Sequence, residues 1–174
     1  MEGGWNDIAC MFSVALCGDE LLFCLDLLAM SWLDLALALT KKSEGCRLEA
    51  YPDPVSGGKP WTIGYGATGP GVTKSLRWTQ EQADLDLAVR LGNIGESLDS
   101  LVHVKLRQQQ KAALADFMYN EGETNFSRSL VLKRLNSGDY EGAGNALLNW
   151  DMACGEVVEG LKKRREAERE LFLS

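Results

Sequence analysis

Residues 46–73 interrupt a sequence that otherwise repeats at helical spacing, and that interruption limits the chain to a mixed fold. Arg47-Leu48-Glu49-Ala50-Tyr51 alternates like a strand. Pro52, Pro54, Gly57, Gly58 and Pro60 punctuate turns, and Trp61-Thr62-Ile63-Gly64-Tyr65-Gly66 reads as a second short strand. On either side the signals are helical. Ser31 with Asp34 forms an N-terminal cap for a helix over 32–43 that ends at Glu44-Gly45, and Thr79 with Gln82 opens another that runs to about Leu91. Further helices are predicted over 107–120, 127–136, 139–150 and 160–172. The expected class is α+β: a small antiparallel β lobe and a helical lobe with a cleft between them, preceded by an extra N-terminal apolar helix.

That leading segment differs in texture from the rest. Residues 1–40 carry Glu2, Asp7, Asp19, Glu20, Asp26 and Asp34 and no Lys or Arg, whereas the other 134 residues carry 18 basic and 19 acidic side chains. The expected division is 1–30, an acidic and apolar helical extension, and 31–174, one compact domain. Neither part has the basic surface of a nucleic-acid binder. A signal peptide needs a positive start, which Met-Glu-Gly-Gly-Trp-Asn-Asp is not, and the four acids that follow the charge-free run Ile8 to Gly18 before residue 35 argue against an ordinary membrane span. Cys10, Cys17 and Cys24 recur every seven residues, and Val14, Leu21 and Leu28 follow each by four. This stripe, within residues 5–30, suits docking on a partner helix or dimerisation. With Cys46 and Cys154 the cysteines are odd in number and lack zinc-site spacing, so they read as small buried hydrophobes.

Two carboxylates stand out chemically. Glu44 ends a helix, where the negative end of the helix dipole opposes ionisation and favours the protonated form that a general acid needs. Asp53, nine residues on, lies between two prolines in a turn, a setting that keeps a carboxylate ionised. Two carboxyls with opposite tendencies on one cleft are the requirement of glycoside hydrolysis, in which the second activates water or attacks the sugar. Thr62, on the next strand, would place a hydroxyl beside Asp53 and help hold the water. Each of these residues also has a purely local role, as helix end, turn former or strand former, and spacing alone does not separate the two.

The run Glu44-Gly45-Cys46-Arg47-Leu48-Glu49-Ala50-Tyr51-Pro52-Asp53, followed by Trp61-Thr62-Ile63-Gly64-Tyr65-Gly66, closely resembles the catalytic region of the phage-type lysozymes, or endolysins. The resemblance continues through Phe117-Met118-Tyr119-Asn120-Glu121-Gly122, Phe126-Ser127-Arg128-Ser129, Leu135-Asn136-Ser137-Gly138-Asp139, Trp150 and Gly160-Leu161-Lys162-Lys163-Arg164-Arg165-Glu166, so it covers about residues 31–173. It implies a lysozyme-like fold and hydrolysis of the β-1,4 bond between N-acetylmuramic acid and N-acetylglucosamine in peptidoglycan, generally with inversion and without cofactor or metal. By position it implies Glu44 as general acid, Asp53 as second carboxylate and Thr62 as the water-positioning hydroxyl. Asn120, Tyr119 and Trp150 are implied on the substrate side. Arg164 or Arg165 is implied as the arginine that contacts the catalytic Glu, the doublet leaving the register open. Lys162 to Arg165 read equally well as cations on a solvated helix face.

Some positions depart from the family pattern. Eight residues separate Asp53 from Thr62, where the shorter family form has five, and Ala67 stands where some members have His. His103 reads as a surface residue. The alternatives to a hydrolase are a lytic transglycosylase, which Asp53 and Thr62 disfavour, and a non-catalytic wall-binding protein on the same fold. The resemblance further implies a protein held in the cytoplasm until it is released to the periplasm or wall, generally with a holin's help.

Overall fold

The computed structural model describes residues 30–52, 57–153 and 155–174. The expected N-terminal helix, its cysteine stripe, Cys154 and Asp53 lie outside these residues. Residues 31–174 make a compact unit of their own. Its order is α1 (Trp32–Glu44), β1 (Arg47–Pro52), β2 (Trp61–Gly64), β3 (Ala67–Thr68), α2 (Gln80–Leu101), α3 (Gln108–Glu121), α4 (Glu123–Arg128), α5 (Leu130–Asn136), α6 (Tyr140–Leu147), β4 (Met152–Ala153), β5 (Glu156–Val157) and α7 (Glu159–Leu173). The α+β class is therefore as expected.

Both predicted capping boxes are present. Ser31 and Asp34 exchange bonds at the start of α1, and Thr79 and Gln82 do so at the start of α2, which satisfies backbone N–H groups that a helix start leaves without partners. Helix α2 runs ten residues past the predicted end at Leu91, because Gly92 and Gly95 do not break it. Gly95 is a notch: a Cβ there would lie 2.5 Å from the Trp32 ring of α1. Leu87, Leu91 and Leu98 meanwhile keep the apolar face buried at helical spacing.

Three other boundaries are corrected. The predicted strand over 61–66 stops at Gly64. Residues 65 and 66 turn, and β3 follows. Gly64 has φ +62°, and a Cβ on it would stand 2.8 Å from the Trp78 ring, so only glycine turns the chain there without strain. The helix predicted over 127–136 is two helices, divided at Ser129, whose hydroxyl accepts from Leu132 N and caps α5. The helix predicted over 139–150 ends at Leu147, and a short β4–β5 hairpin follows that the sequence reading did not anticipate.

The sheet has the order β1-β2-β3, antiparallel throughout, with Tyr51 opposite Thr62 and Pro52 opposite Trp61. Backbone bonds from Ala50 N to Leu76 O and from Trp78 N to Leu48 O tie the free edge of β1 to the approach to α2. Helix α3 is the centre of the helical lobe and packs against α1, α2, α4 and α7. Every residue from Ala112 to Met118 is buried, so the helix is enclosed on all sides. Small alanines allow its neighbours to approach, and Phe117 stacks edge-on to both Phe126 and Trp150, at 6.2 and 5.4 Å between centroids. Asp116 is the single charged residue in that buried run, and it must be paired to remain there.

Candidate active site

Glu44 is the last residue of α1, and Gly45 follows at φ +67°, a left-handed conformation that lets the chain leave the helix directly into β1. The Glu44 side chain is 25% exposed. Its Oε1 accepts a 2.6 Å bond from Arg164 Nη1, which resolves the register of the arginine doublet. Of the other two predicted residues, Thr62 is described and Asp53 lies outside the described residues. β1 ends at Pro52, immediately before Asp53, and Thr62 sits opposite Tyr51 on the paired strand, half-buried.

Arg164 and Arg165 are buried, whereas Lys162 and Lys163 are exposed, so the expected solvated cationic face holds for the lysines alone. Arg164 reaches in two directions. Besides Glu44 it grips Asp116 of α3 through Nε to Oδ2 at 2.9 Å and Nη2 to Oδ1 at 2.8 Å. Thr40 Oγ1, one turn before Glu44 on α1, donates to the same Asp116 Oδ1 at 2.7 Å. Burial opposes the Arg164 charge, but Asp116 and then Glu44 outweigh it and hold the guanidinium firmly protonated.

Arg165 points the other way. It is fully buried, lies 4.8 Å over the Phe117 ring, and donates from Nη2 to Asn120 Oδ1 at 2.8 Å. Asn120 is half-buried at the end of α3. Glu168 stands 2.9 Å from Arg165 and is also fully buried. Burial pushes the Glu168 carboxyl well above the usual carboxylate range, and the neighbouring Arg165 works against that rise. Two arginines thus face the buried Asp116 and Glu168 and the partly exposed Glu44 and Glu121.

Tyr119 ties the two lobes together. Its hydroxyl donates to the Tyr65 carbonyl at 2.6 Å, in the turn after β2, and Arg90 lies 4.9 Å over its ring. Tyr65 in turn donates to Asp84 at 2.9 Å, and Lys41 of α1 pairs with Asp84 at 2.9 Å. Trp150 packs edge-on to Phe117 on the outer side of the core, half-buried. Thr40, Asp116 and Glu168 were not picked out from the sequence. The available signal was Asp116, an isolated acid inside the apolar run Ala112–Met118.

The tyrosine links carry a pH consequence. Burial pushes Tyr65 up to about 12, with its bond to Asp84 adding to the effect, and burial likewise pushes Tyr119 up to about 12. In the unfolded chain both ionise near 10. Between those values the native state retains protons that the unfolded state has lost, so stability falls as pH rises through that window. Urea midpoints measured at pH 9, 10 and 11 should decline in that order, and a midpoint constant across the three would refute the burial of these phenols.

The geometry agrees with comparisons to known proteins. The model of the family described as phage lysozyme matches residues 41–168. The endolysin of Bacillus phage B103 is 38% identical over 78% of this chain. The SAR-endolysin of Escherichia phage Mu is 39% identical over 64% of it. The chain spans 51% of the first relative's length and 64% of the second's. The solved muramidase domain of SpmX from Asticaccaulis excentricus superposes with a TM-score of 0.73 at 38% identity, over 80% of this chain and 95% of that one. The chain belongs to the phage lysozyme family.

Proposed function

We propose that the chain is an endolysin that lyses bacterial walls by hydrolysing the β-1,4 bond between N-acetylmuramic acid and N-acetylglucosamine. The observation that carries this reading is Glu44: a carboxyl at a helix end, partly exposed, and oriented by a 2.6 Å bond from a buried arginine. In the proposed reaction Glu44 gives its proton to the glycosidic oxygen as the bond to the anomeric carbon breaks. Asp53 takes a proton from a water that attacks the opposite face of that carbon, and Thr62 holds the water. The muramic acid product then carries a new reducing end. Asn120, Tyr119 and Trp150 are assigned to the substrate side, and no cofactor enters the scheme.

The substrate places the reaction at the periplasmic wall, and relatives named endolysin and SAR-endolysin support that site of action. Among the described residues no helix is long and apolar enough to cross a membrane. Digests of purified peptidoglycan distinguish the possible chemistries. Hydrolysis yields one new reducing end per cut, whereas a lytic transglycosylase yields anhydro sugars and no reducing ends. Anhydro products would overturn the assignment of Asp53 and Thr62, and binding without products would overturn the enzyme reading altogether.

A further inference from the structure

We propose that Asp116 is a positioning residue for Glu44, acting through Arg164, and that Thr40 holds Asp116 in register with the helix that carries Glu44. The proposal rests on the reading of Glu44 as the general acid. Glu44 stands where α1 ends and its side chain is partly exposed, so the backbone alone orients its carboxyl poorly. Among the described residues, Arg164 Nη1 is the donor that reaches that carboxyl. Where Nη1 sits is determined by the remainder of the guanidinium. Nε and Nη2 are both committed to Asp116, at 2.9 and 2.8 Å, and two parallel bonds to one carboxylate fix the plane of an arginine as one bond does not.

Asp116 is itself fixed. It is fully buried and accepts 2.7 Å from Thr40 Oγ1. Thr40 lies four residues before Glu44, on the same face of α1. The contacts therefore close a ring that leaves α1 at Thr40, crosses α3 at Asp116 and α7 at Arg164, and returns to α1 at Glu44. A charge in the otherwise apolar run Ala112–Met118 is costly to desolvate, and stability alone would be served as well by an apolar pair. A geometric task accounts for it: Asp116 sets the angle at which the acid meets the substrate.

The test uses the full chain and soluble, uncrosslinked peptidoglycan oligosaccharides, with kcat, KM and the melting temperature measured for each variant. In Asp116→Asn an amide N–H faces a donor, the two-point grip is lost, and kcat should fall about tenfold to a hundredfold while KM stays within about twofold. Thr40→Val, which removes only a hydroxyl, should lower kcat by about threefold to tenfold, with Thr40→Ser restoring it. The pair should be non-additive, Thr40→Val costing little further in the Asp116→Asn background. Losses of kcat that merely track the unfolded fraction, or unchanged kcat in both variants, would overturn the proposal. If Asp116→Asn does not fold, Thr40→Val against Thr40→Ser decides it. Glu44→Gln run alongside distinguishes the two levels. If Glu44→Gln is inactive while Asp116→Asn and Thr40→Val keep wild-type kcat, only the positioning role fails. If Glu44→Gln is fully active, the general-acid reading fails and the positioning role with it.

Discussion

Glu44→Gln is expected to lower the rate of wall lysis by about a hundredfold or more. The substitution keeps the length and shape of the side chain, and an amide oxygen still accepts from Arg164 Nη1, so the fold and the 2.6 Å contact have no reason to change. It removes the one thing the proposed step requires, a proton that can be given to the leaving oxygen. Turbidity loss of outer-membrane-permeabilised Gram-negative cells, compared at equal protein with matched melting curves, measures the effect. Equal lysis by the two proteins would place the acid elsewhere in the chain.

Arg164→Met is expected to be the most destabilising single change at the site, by about 3–5 kcal/mol. The Arg164 side chain is 6% exposed and that of Asp116 is 0% exposed, so removing the cation strands a carboxylate in the core. Methionine fills much of the volume, which makes the loss chiefly electrostatic. In a unit of this size the melting temperature should drop by on the order of 10 °C. Activity at temperatures where the variant remains folded should fall as well, because Glu44 loses its donor. The control is Arg164→Met with Asp116→Leu, which leaves no uncompensated charge and should melt above the single variant. A single variant as stable as wild type would mean that Asp116 is neutralised by some other route, and Glu168 is then the residue to examine.

The sequence by itself determined a good deal of this protein. Capping boxes at Ser31 and Thr79, helical patterning along 32–43 and 107–120, and the glycine and proline punctuation of 46–73 are local signals, and local signals specify helices, strands and turns. The position of Glu44 at a helix end was legible for the same reason, and the ordered motifs shared with the phage lysozymes pointed to a family that the comparisons bear out. Boundaries were lost where a neighbour distant in sequence overrode a residue's local meaning, as at Gly95, or where one residue carried two local meanings, as at Ser129. Gly95 reads as a helix breaker until Trp32 is placed against it, and Ser129 reads as helix interior until its hydroxyl caps the next one.

Only the tertiary structure decided which arginine serves Glu44 and why a charge sits inside α3. Arg164 and Arg165 are adjacent and chemically identical in sequence, but a helix turns about 100° per residue, so one faces Asp116 and Glu44 and the other faces Asn120 and Phe117. Lys162 to Arg165 look like a solvated basic run because charge is normally left in water. Here α7 packs Arg164 and Arg165 inward while the lysines stay exposed, and carboxylates 48 and 120 residues away make the burial of Arg164 possible. Pairings across such separations follow from how the helices pack, which no local pattern encodes.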